Sequence, residues 1–283
     1  MIKYENISSL NQLKNFIAEG GKRTKKITEN QKIHRPFISI ITVVKNSADV
    51  IENTIKSVIS QSYKNIEYII VDGNSNDGTL EKIKKYDKQI NYWCTIADKG
   101  LYDAMNFGLR LATGKIIGIL NAGDIYTQSS FKIIENYFLK NKNLSFLFGT
   151  VERNYLGNNM ILKTGFNRKK IKYNFDSHTC HSSGFFIKSE IQKEIGLYNL
   201  NYKCSSDYNL FYKLFSNNNF EGDSTTKNEL IGIVASGGFS SKFGFWNRLK
   251  EEIQIRIDNK QNIFLISIIF LNAILKHYMK KVL

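Results

Sequence analysis

Two continuous β-branched runs constrain the fold of this chain most strongly. Residues 37–44 are FISIITVV and residues 66–71 are IEYIIV. Strands that are apolar on both faces are typical of parallel sheets covered by helices on both sides. Between the two runs, apolar residues recur at helical spacing at Ile51, Ile55 and Val58. The sequence therefore predicts a strand–helix–strand unit in a parallel sheet.

The same alternation continues further along the chain. Residues 79–86 and 101–112 have helical patterns, and residues 92–96 and 115–120 are short apolar strands. Alternating strands and helices at short intervals predict an α/β fold, with a Rossmann-like, mostly parallel sheet flanked by helices. Beyond residue 124 the pattern is less regular, and the last forty residues predict two basic helices at the C-terminus.

The chain has 283 residues and a single proline, Pro36, which suits one large α/β domain. Residues 1–36 are polar and basic, and they are predicted to form a peripheral N-terminal extension. At residue 37 the sequence changes from polar and basic to apolar and β-branched, so residues 37–243 are predicted as the main domain. Residues 244–283 are predicted as basic and apolar C-terminal helices.

The net charge of +15 favours an anionic partner, which includes nucleic acid, phosphorylated substrates and anionic membranes. The three cysteines, Cys94, Cys180 and Cys204, form no CxxC pair, so a zinc cluster or a disulfide framework is not expected. The first residues, MIKYENISSL, lack the apolar core of a signal peptide. These features predict a cytoplasmic protein.

An apolar run near the C-terminus extends from Ile263 to Leu275 and is followed by Lys276, Lys280 and Lys281. A helix needs roughly 20 apolar residues to span a bilayer, and this run is shorter. Three interpretations remain open for residues 262–276. They form a helix in the membrane interface at the inner face of the cytoplasmic membrane, a helix packed on the domain, or a helix at a subunit contact.

Polar residues follow the predicted strands where ligands bind in open parallel sheets, at the carboxyl ends. Lys45 and Asn46 follow the first strand, Asp72 follows the second and Asp124 follows the fourth. The turn after the first strand has no glycine, which disfavours a dinucleotide-binding dehydrogenase, and no P-loop motif occurs. Two carboxylates at one edge suit a ligand that combines a nucleoside with a metal-bound phosphate.

Four blocks of the sequence together resemble family 2 glycosyltransferases with the GT-A fold. The first two are ISIITVVKNSADVIENTIKSVISQSYKNIEYIIVDGNSNDGT at residues 38–79 and DKGLYDAMNFGLRLATGKIIGILNAGD at residues 98–124. The third runs from HSSGFFIK at residues 181–188 to SSDYNL at residues 205–210, and the fourth is GGFS at residues 237–240. The resemblance covers residues 36–245 in the order that the family has.

The resemblance implies a role for three acids. Asp207 matches the catalytic base, Asp124 matches the last acid of a metal motif for Mn²⁺ or Mg²⁺, and Asp72 matches the nucleoside contact. Here Gly73 stands where the family often has a second acid, so which of the two positions meets the base is open. Each acid also has a plain structural alternative, since Asp72 suits a turn and the others suit helix caps. The residues implied to bind substrate are Thr42, Val44, Asn46, Asp72, Asn74, Asp98, Lys99, Asp103, Asn106, Asn121 and His181.

The resemblance implies an inverting glycosyltransferase that moves a sugar from a nucleoside diphosphate sugar, taken to be a UDP-sugar, to a hydroxyl group. Its expected acceptor is a glycan or a polyprenol-linked acceptor in surface polysaccharide synthesis, such as capsule or O-antigen. The alternatives are a nucleotide-sugar-binding protein or a nucleotidyltransferase on a similar fold. Nucleic acid is not an expected partner, because the basic residues are dispersed and no recognition motif occurs.

Overall fold

A mostly parallel sheet lies at the centre of the molecule. The computed structural model describes residues 16–25, 37–155, 159–173, 181–237 and 239–282. Within these ranges, eight strands form the sheet in the order β1–β4–β3–β2–β5–β10–β7–β11. The strands are β1 (Phe16–Gly20), β2 (Ile38–Val44), β3 (Ile66–Asp72), β4 (Tyr92–Ile96), β5 (Ile116–Asn121), β7 (Leu144–Phe148), β10 (Phe185–Lys188) and β11 (Glu221–Ser224).

Helices cover both faces of this sheet, as the alternation of the sequence predicts. The first four are α1 (Ala48–Ile59), α2 (Thr79–Lys85), α3 (Leu101–Leu111) and α4 (Ser130–Lys140). They are followed by α5 (Arg168–Tyr173), α6 (Ser189–Ile195), α7 (Ser206–Ser216), α8 (Phe245–Asp258) and α9 (Ile263–Val282). Strands β4, β3, β2 and β5 pair in parallel, and β10 enters antiparallel beside β5. The predicted α/β fold with C-terminal helices is confirmed.

A smaller sheet lies beside the central one, in the order β6–β12–β8–β9. Its strands are β6 (Ile125–Tyr126), β8 (Thr150–Tyr155), β9 (Asn159–Lys163) and β12 (Leu230–Val234). Strand β6 follows β5 closely, so the turn between them carries Asp124 at the junction of the two sheets. This junction positions the candidate site.

Two apolar clusters fill the two faces of the central sheet. On one face, α3 packs closely on the sheet because Gly108 has no side chain, and an added Cβ there would overlap Ile41. The neighbouring core is rich in phenylalanine, and the Phe185 and Phe211 rings meet edge to face with centroids 4.8 Å apart. This packing holds α3 and α7 against the sheet edge where the loops converge.

Residues 16–25 correct the prediction of a peripheral N-terminal extension. Strand β1 pairs antiparallel with β4 and forms an edge of the central sheet. Just after it, Arg23 forms an ion pair with the buried Glu67 and donates a hydrogen bond of 3.0 Å to the carbonyl of Leu111. Arg23, one of the basic residues of the predicted extension, is therefore a structural cation. The rest of the predicted extension, residues 1–15 and 26–36, lies outside the described residues.

Of the two C-terminal helices, α8 packs on α7 and α9 packs on α8. Ile266 and Ile269 of α9 are buried, whereas the opposite side of that helix is exposed. In the described part of the chain, no helix combines the length and apolarity needed to cross a bilayer.

Candidate active site

A cavity of about 870 Å³ opens at the carboxyl ends of β2 and β5. Its wall comes from the loops after these strands, the start of α3, the turn at residues 181–182, the start of α7 and the segment after β12. The structure brings eight of the predicted site residues together in this wall: Val44, Asn46, Asp98, Lys99, Asn121, Asp124, His181 and Asp207. They come from positions up to 163 residues apart, from Val44 to Asp207.

Asp124 lies at the junction of the two sheets and is almost fully buried. One carboxylate oxygen accepts a hydrogen bond of 3.0 Å from the Ala235 amide, and the other accepts one from the Ser183 hydroxyl. Burial raises the pKa of Asp124 to about 6, and these hydrogen bonds partly oppose the shift. Such a carboxylate gains strongly from a nearby cation, because its charge is poorly solvated.

His181 lies beside this carboxylate, with Nδ1 3.8 Å from Asp124 Oδ2. The Ser183 amide lies within hydrogen-bond reach of His181 Nδ1, at 3.3 Å. A carboxylate and an imidazole on one wall fit Mn²⁺ or Mg²⁺, which bind few protein ligands and complete their shells with phosphate oxygens and water. Among the described residues, no group of three or more His, Cys, Asp or Glu side chains is placed to hold a metal on its own.

Asp207 lies in the first turn of α7, on the far side of the cavity wall. Its Oδ1 accepts a hydrogen bond of 3.2 Å from the Tyr102 hydroxyl and one of 2.8 Å from the Tyr208 amide. A helix N-terminus is a favourable place for a carboxylate. The two donors fix the orientation of the carboxylate, and Oδ2 is the oxygen opposite them.

Glu251 of α8 holds the loop that leads to Asp207. Its carboxylate accepts hydrogen bonds from three consecutive backbone amides, at 2.7 Å from Lys203, 2.9 Å from Cys204 and 3.0 Å from Ser205. The loop therefore has little freedom just before α7 begins. Glu251 carries no signal in the sequence, because nothing local connects position 251 to position 207.

Asp98 fills a space that a glycine leaves open. A Cβ added at Gly73 would overlap the Asp98 carboxylate and would come within 3.3 Å of Lys45 Cδ. Burial raises the pKa of Asp98, and Lys45 partly counters the shift. Asp98 lines the cavity, so a carboxylate stands beside position 73 although the chain has no acid there.

The other five predicted substrate-binding residues lie outside the cavity wall as described. Asp72 is fully buried, and its carboxylate accepts hydrogen bonds from the Ser75 amide and hydroxyl, which is the turn role that the sequence left open. The Asn106 amide exchanges two hydrogen bonds of 2.8 Å with the backbone of Tyr198. Direct substrate contact by these residues is a prediction that the geometry does not support.

The remaining three of these residues also have other contacts or positions. The Thr42 hydroxyl is buried, 3.1 Å from the Tyr68 hydroxyl. Asp103 accepts a hydrogen bond of 3.0 Å from the Lys99 amide and so shapes the loop before α3. Asn74 is exposed in a turn with a positive φ of 59°.

Several residues of the cavity wall are not among the predicted site residues. Arg153 and Lys242 add positive charge to the wall, and Tyr198 and Phe239 add aromatic surface next to Tyr102. The rings of Tyr102 and Tyr198 stack with centroids 5.5 Å apart. Arg153 comes from β8, where the strand–helix pattern had already become irregular. Ser183, which donates a hydrogen bond to Asp124, lies two residues after His181 in the HSSGFFIK block. Its position in that block is the signal by which it could have been found.

Comparison with known proteins gives the family. The model of the family described as "Glycosyl transferase family 2" matches residues 39–196, which is more than half of the chain. The chain belongs to this family. The match includes the loops that carry Asp98, Asp124 and His181, and it ends before Asp207.

Curated relatives of the family match over part of their length. The chain is 36% identical over 93 residues to an uncharacterized glycosyltransferase of Mycobacterium tuberculosis, which covers 32% of this chain and 36% of the relative. It is 32% identical over 139 residues to the Escherichia coli UDP-Glc:alpha-D-GlcNAc-diphosphoundecaprenol beta-1,3-glucosyltransferase WfgD, covering 49% of this chain and 54% of that protein. The chain thus spans about a third to a half of the length of these relatives.

Solved structures share the fold. Staphylococcus aureus TarS 1–349 in complex with UDP-GlcNAc superposes with a TM-score of 0.64 at 14% identity, covering 86% of this chain and 72% of that one. The mannosyltransferase PcManGT from Pyrobaculum calidifontis, in complex with GDP-Man and Mn²⁺, gives a TM-score of 0.58 at 16% identity, covering 89% and 73%. At these identities the likeness concerns the fold, and it confirms the predicted GT-A architecture.

Proposed function

We propose that this protein is an inverting glycosyltransferase that moves a sugar from a UDP-sugar to an acceptor hydroxyl. The observation that carries the proposal is the placement of Asp124 and Asp207 in the wall of one cavity, each held by donors from other elements. One carboxylate lies at the carboxyl end of β5, where a donor diphosphate is expected, and the other lies across the cavity. Family membership supports the same reaction.

In the proposed reaction, Asp207 removes the proton from the acceptor hydroxyl. That oxygen forms a bond to the anomeric carbon from the side opposite the diphosphate. The bond between the anomeric carbon and the diphosphate oxygen breaks, and the nucleoside diphosphate leaves with the electron pair. The base must lie within hydrogen-bond reach of the hydroxyl, and Oδ2 of Asp207 is suited to this because Oδ1 already accepts from Tyr102 and Tyr208.

The leaving group is a dianion or trianion, so its neutralisation is the second requirement. A bound Mn²⁺ or Mg²⁺ would supply Lewis-acid stabilisation, and Asp124 with His181 would hold it. The chain's own cations in the wall are Lys45, Lys99, Arg153 and Lys242. They provide charge-assisted hydrogen bonds to phosphate oxygens and keep anionic ligands in the cavity.

The nucleoside is proposed to lie next to Asp98 rather than Asp72. Asp98 lines the cavity, whereas Asp72 binds Ser75 within its own turn. The carboxylate next to position 73 thus comes from the loop after β4, whereas the family resemblance implies an acid in the loop after β3. Within the proposal, the acid that meets the base therefore comes from the loop after β4 and not from the loop after β3.

The acceptor and the location are also part of the proposal. A glycan or a polyprenol-linked acceptor fits the name of WfgD, whose acceptor is an alpha-D-GlcNAc-diphosphoundecaprenol. The proposed location is the inner face of the cytoplasmic membrane. The aromatic rings of Tyr102, Tyr198 and Phe239 beside Asp207 suit a sugar ring of such an acceptor.

The test is a binding and turnover assay with a panel of nucleotide sugars, with and without Mn²⁺. Asp124→Ala is expected to abolish the metal-dependent part of donor binding. Asp207→Asn is expected to keep donor binding and to lower kcat by roughly 10²–10⁴-fold, the usual loss when a general base is removed. Asp49→Asn, an exposed acid on α1 outside the cavity, is the control and should behave as wild type.

Two results would contradict the proposal. Binding of a nucleotide sugar without transfer to any acceptor would make the protein a nucleotide-sugar-binding protein. Full activity of Asp207→Asn would show that another group is the base.

A further inference from the structure

Helix α9 has apolar residues on two opposite sides. On one side, Ile266 and Ile269 are buried and only 3% and 2% exposed. On the other side, five large apolar residues are between 59% and 77% exposed: Phe264, Ile268, Leu271, Leu275 and Met279. Their spacing of four, three, four and four residues keeps them on one side of the helix. We call these five residues the outer stripe.

The outer stripe is too regular to be a scatter of surface apolar residues. It spans 16 residues, or about 22 Å along the helix axis. Exposed polar residues, Ser267, Asn272 and Lys276, border it. Helices on a protein surface normally turn a polar face outward, and a contiguous exposed apolar surface marks a contact with another phase or partner.

The charges around the outer stripe distinguish a lipid surface from a second copy of this chain. Residues 259–283 contain four lysines, Lys260, Lys276, Lys280 and Lys281, and no Asp or Glu. Helices that pair along an apolar seam usually balance flanking lysines with acids on the partner, and a second copy has none to offer in this segment. Anionic lipid headgroups supply that missing negative charge.

Helix α8 adds to the same surface. Trp246 is 51% exposed, and its ring lies 6.5 Å from His277 of α9. Phe245 stacks on the same histidine with centroids 3.8 Å apart. The exposed Lys242, Arg248 and Lys250 lie in the same stretch, and residues 239–250 contain no acid. Tryptophan beside basic residues is typical of segments at a membrane–water interface.

We propose that the outer stripe docks on an anionic lipid bilayer, with α9 lying in the plane of the interface. The segment from Phe239 to Trp246 connects this surface to the cavity, because Phe239 lines the cavity wall and its ring lies 5.3 Å from Phe243. Docking through α9 therefore keeps the Asp207 side of the cavity near the lipid surface. This last step rests on the proposed function, since it gives a membrane-bound acceptor access to Asp207.

The test measures binding of the full chain to vesicles without any nucleotide sugar. One set of vesicles is neutral phosphatidylcholine, and the other contains about one third phosphatidylglycerol. We expect binding to the anionic set that weakens as salt is raised. The variant Leu271→Gln/Leu275→Gln changes two exposed residues of the stripe and is expected to lower the partition coefficient by about tenfold or more.

The matched control is Ser267→Gln/Asn272→Gln, which alters the polar border of the same helix and is expected to bind as wild type. Equal binding of the stripe variant and wild type, or equal binding to neutral and anionic vesicles, would overturn the proposal. So would a lipid-free dimer that the stripe variant converts to monomer without any vesicle binding, which would make the stripe a contact between copies.

The outcome is separable from that of the proposed function. The stripe variant is expected to keep wild-type turnover on a short, water-soluble acceptor analogue, because it touches no residue of the cavity. If vesicle binding behaves as expected but no donor is ever turned over, the docking surface stands and the proposed reaction fails. If transfer occurs but vesicles are not bound, the proposed reaction stands and the docking surface fails.

Discussion

At the scale of single residues, the site depends on carboxylates that other elements hold in place. Asp207 is oriented by a hydroxyl from α3 and an amide of its own helix. Asp124 is oriented by a hydroxyl and an amide from two further segments. A misplacement of about 1 Å in such a group costs large factors in rate, so the residues that hold the carboxylates are expected to matter for the proposed reaction.

Glu251 gives the sharpest prediction at this scale. Glu251→Gln keeps the shape of the side chain but removes the negative charge of the carboxylate to which three backbone amides donate. The loop before Asp207 is therefore expected to be held less firmly. We expect kcat to fall by about tenfold, with the KM for the donor unchanged. Steady-state kinetics with the purified variant measure both values.

Two further variants show whether Glu251 acts through Asp207. In an Asp207→Asn background, Glu251→Gln is expected to add almost no further loss, because a loosened base no longer matters once the base is absent. Lys250→Gln, one residue away and exposed on the same helix, is the control. A loss that is fully additive with Asp207→Asn would contradict the interpretation and indicate a general effect on folding.

At the scale of secondary-structure elements, the parallel core follows from the sequence pattern and the edge does not. Strands β2, β3 and β5 are continuous apolar runs that only a doubly covered sheet can bury. Strand β1, FIAEG, is short and mostly exposed, so it has no comparable pattern. Its position depends on pairing with β4 and on Arg23, which are tertiary contacts that the local sequence does not encode.

The ion pair of Arg23 with Glu67 is expected to fix this edge. Arg23→Ala leaves the buried Glu67 carboxylate without its cation, although Ser39 and Thr113 still donate to it. We expect a loss of about 3 kcal/mol in the free energy of unfolding, measured by urea denaturation. Lys25→Ala removes an exposed pair with Asp87 and should cost less than about 1 kcal/mol. Similar losses in both variants would argue against a structural role for β1.

The candidate site is similarly divided into what the sequence predicts and what it does not. Because parallel strands end at one edge, Asn46, Asp72 and Asp124 were expected to meet there, and the structure places Asn46 and Asp124 in the cavity wall. Asp98, which also lines the cavity, was expected from the family resemblance alone. The direction of each side chain was not predictable, as Asp72 shows by turning into its own loop. Contacts that join distant segments, such as Glu251 with the loop before α7, lack any signal in one sequence.

At the scale of the whole molecule, the buried Asp124 links function to stability. Burial raises its pKa from 3.8 to about 6, so the native state holds this proton more tightly than the unfolded chain does. The stabilisation that the protonated carboxyl gives the folded state is therefore fully present below about pH 4, and it is lost as the pH rises through about 6. Above that pH the folded protein carries a poorly solvated charge.

Replacing this carboxyl with a neutral amide is therefore expected to stabilise the protein at high pH. With a chelator present, Asp124→Asn should exceed the wild type by about 3 kcal/mol at pH 8, and the difference should shrink towards pH 4. Thermal denaturation across this pH range measures it, with Asp49→Asn as the exposed control. A destabilised Asp124→Asn at pH 8 would show that the hydrogen bonds of Asp124 outweigh the burial of its charge.

The contact between Gly73 and Asp98 also limits the order in which this site can change over evolution. Any side chain at position 73 must first displace the Asp98 carboxylate. An alanine or aspartate at 73 would therefore move a carboxylate of the cavity wall in this chain, and a smaller residue at position 98 would remove the conflict. Positions 73 and 98 are thus expected to covary among homologues: lineages with an acid at 73 should carry a small residue at 98, and intermediates with two bulky residues should be rare.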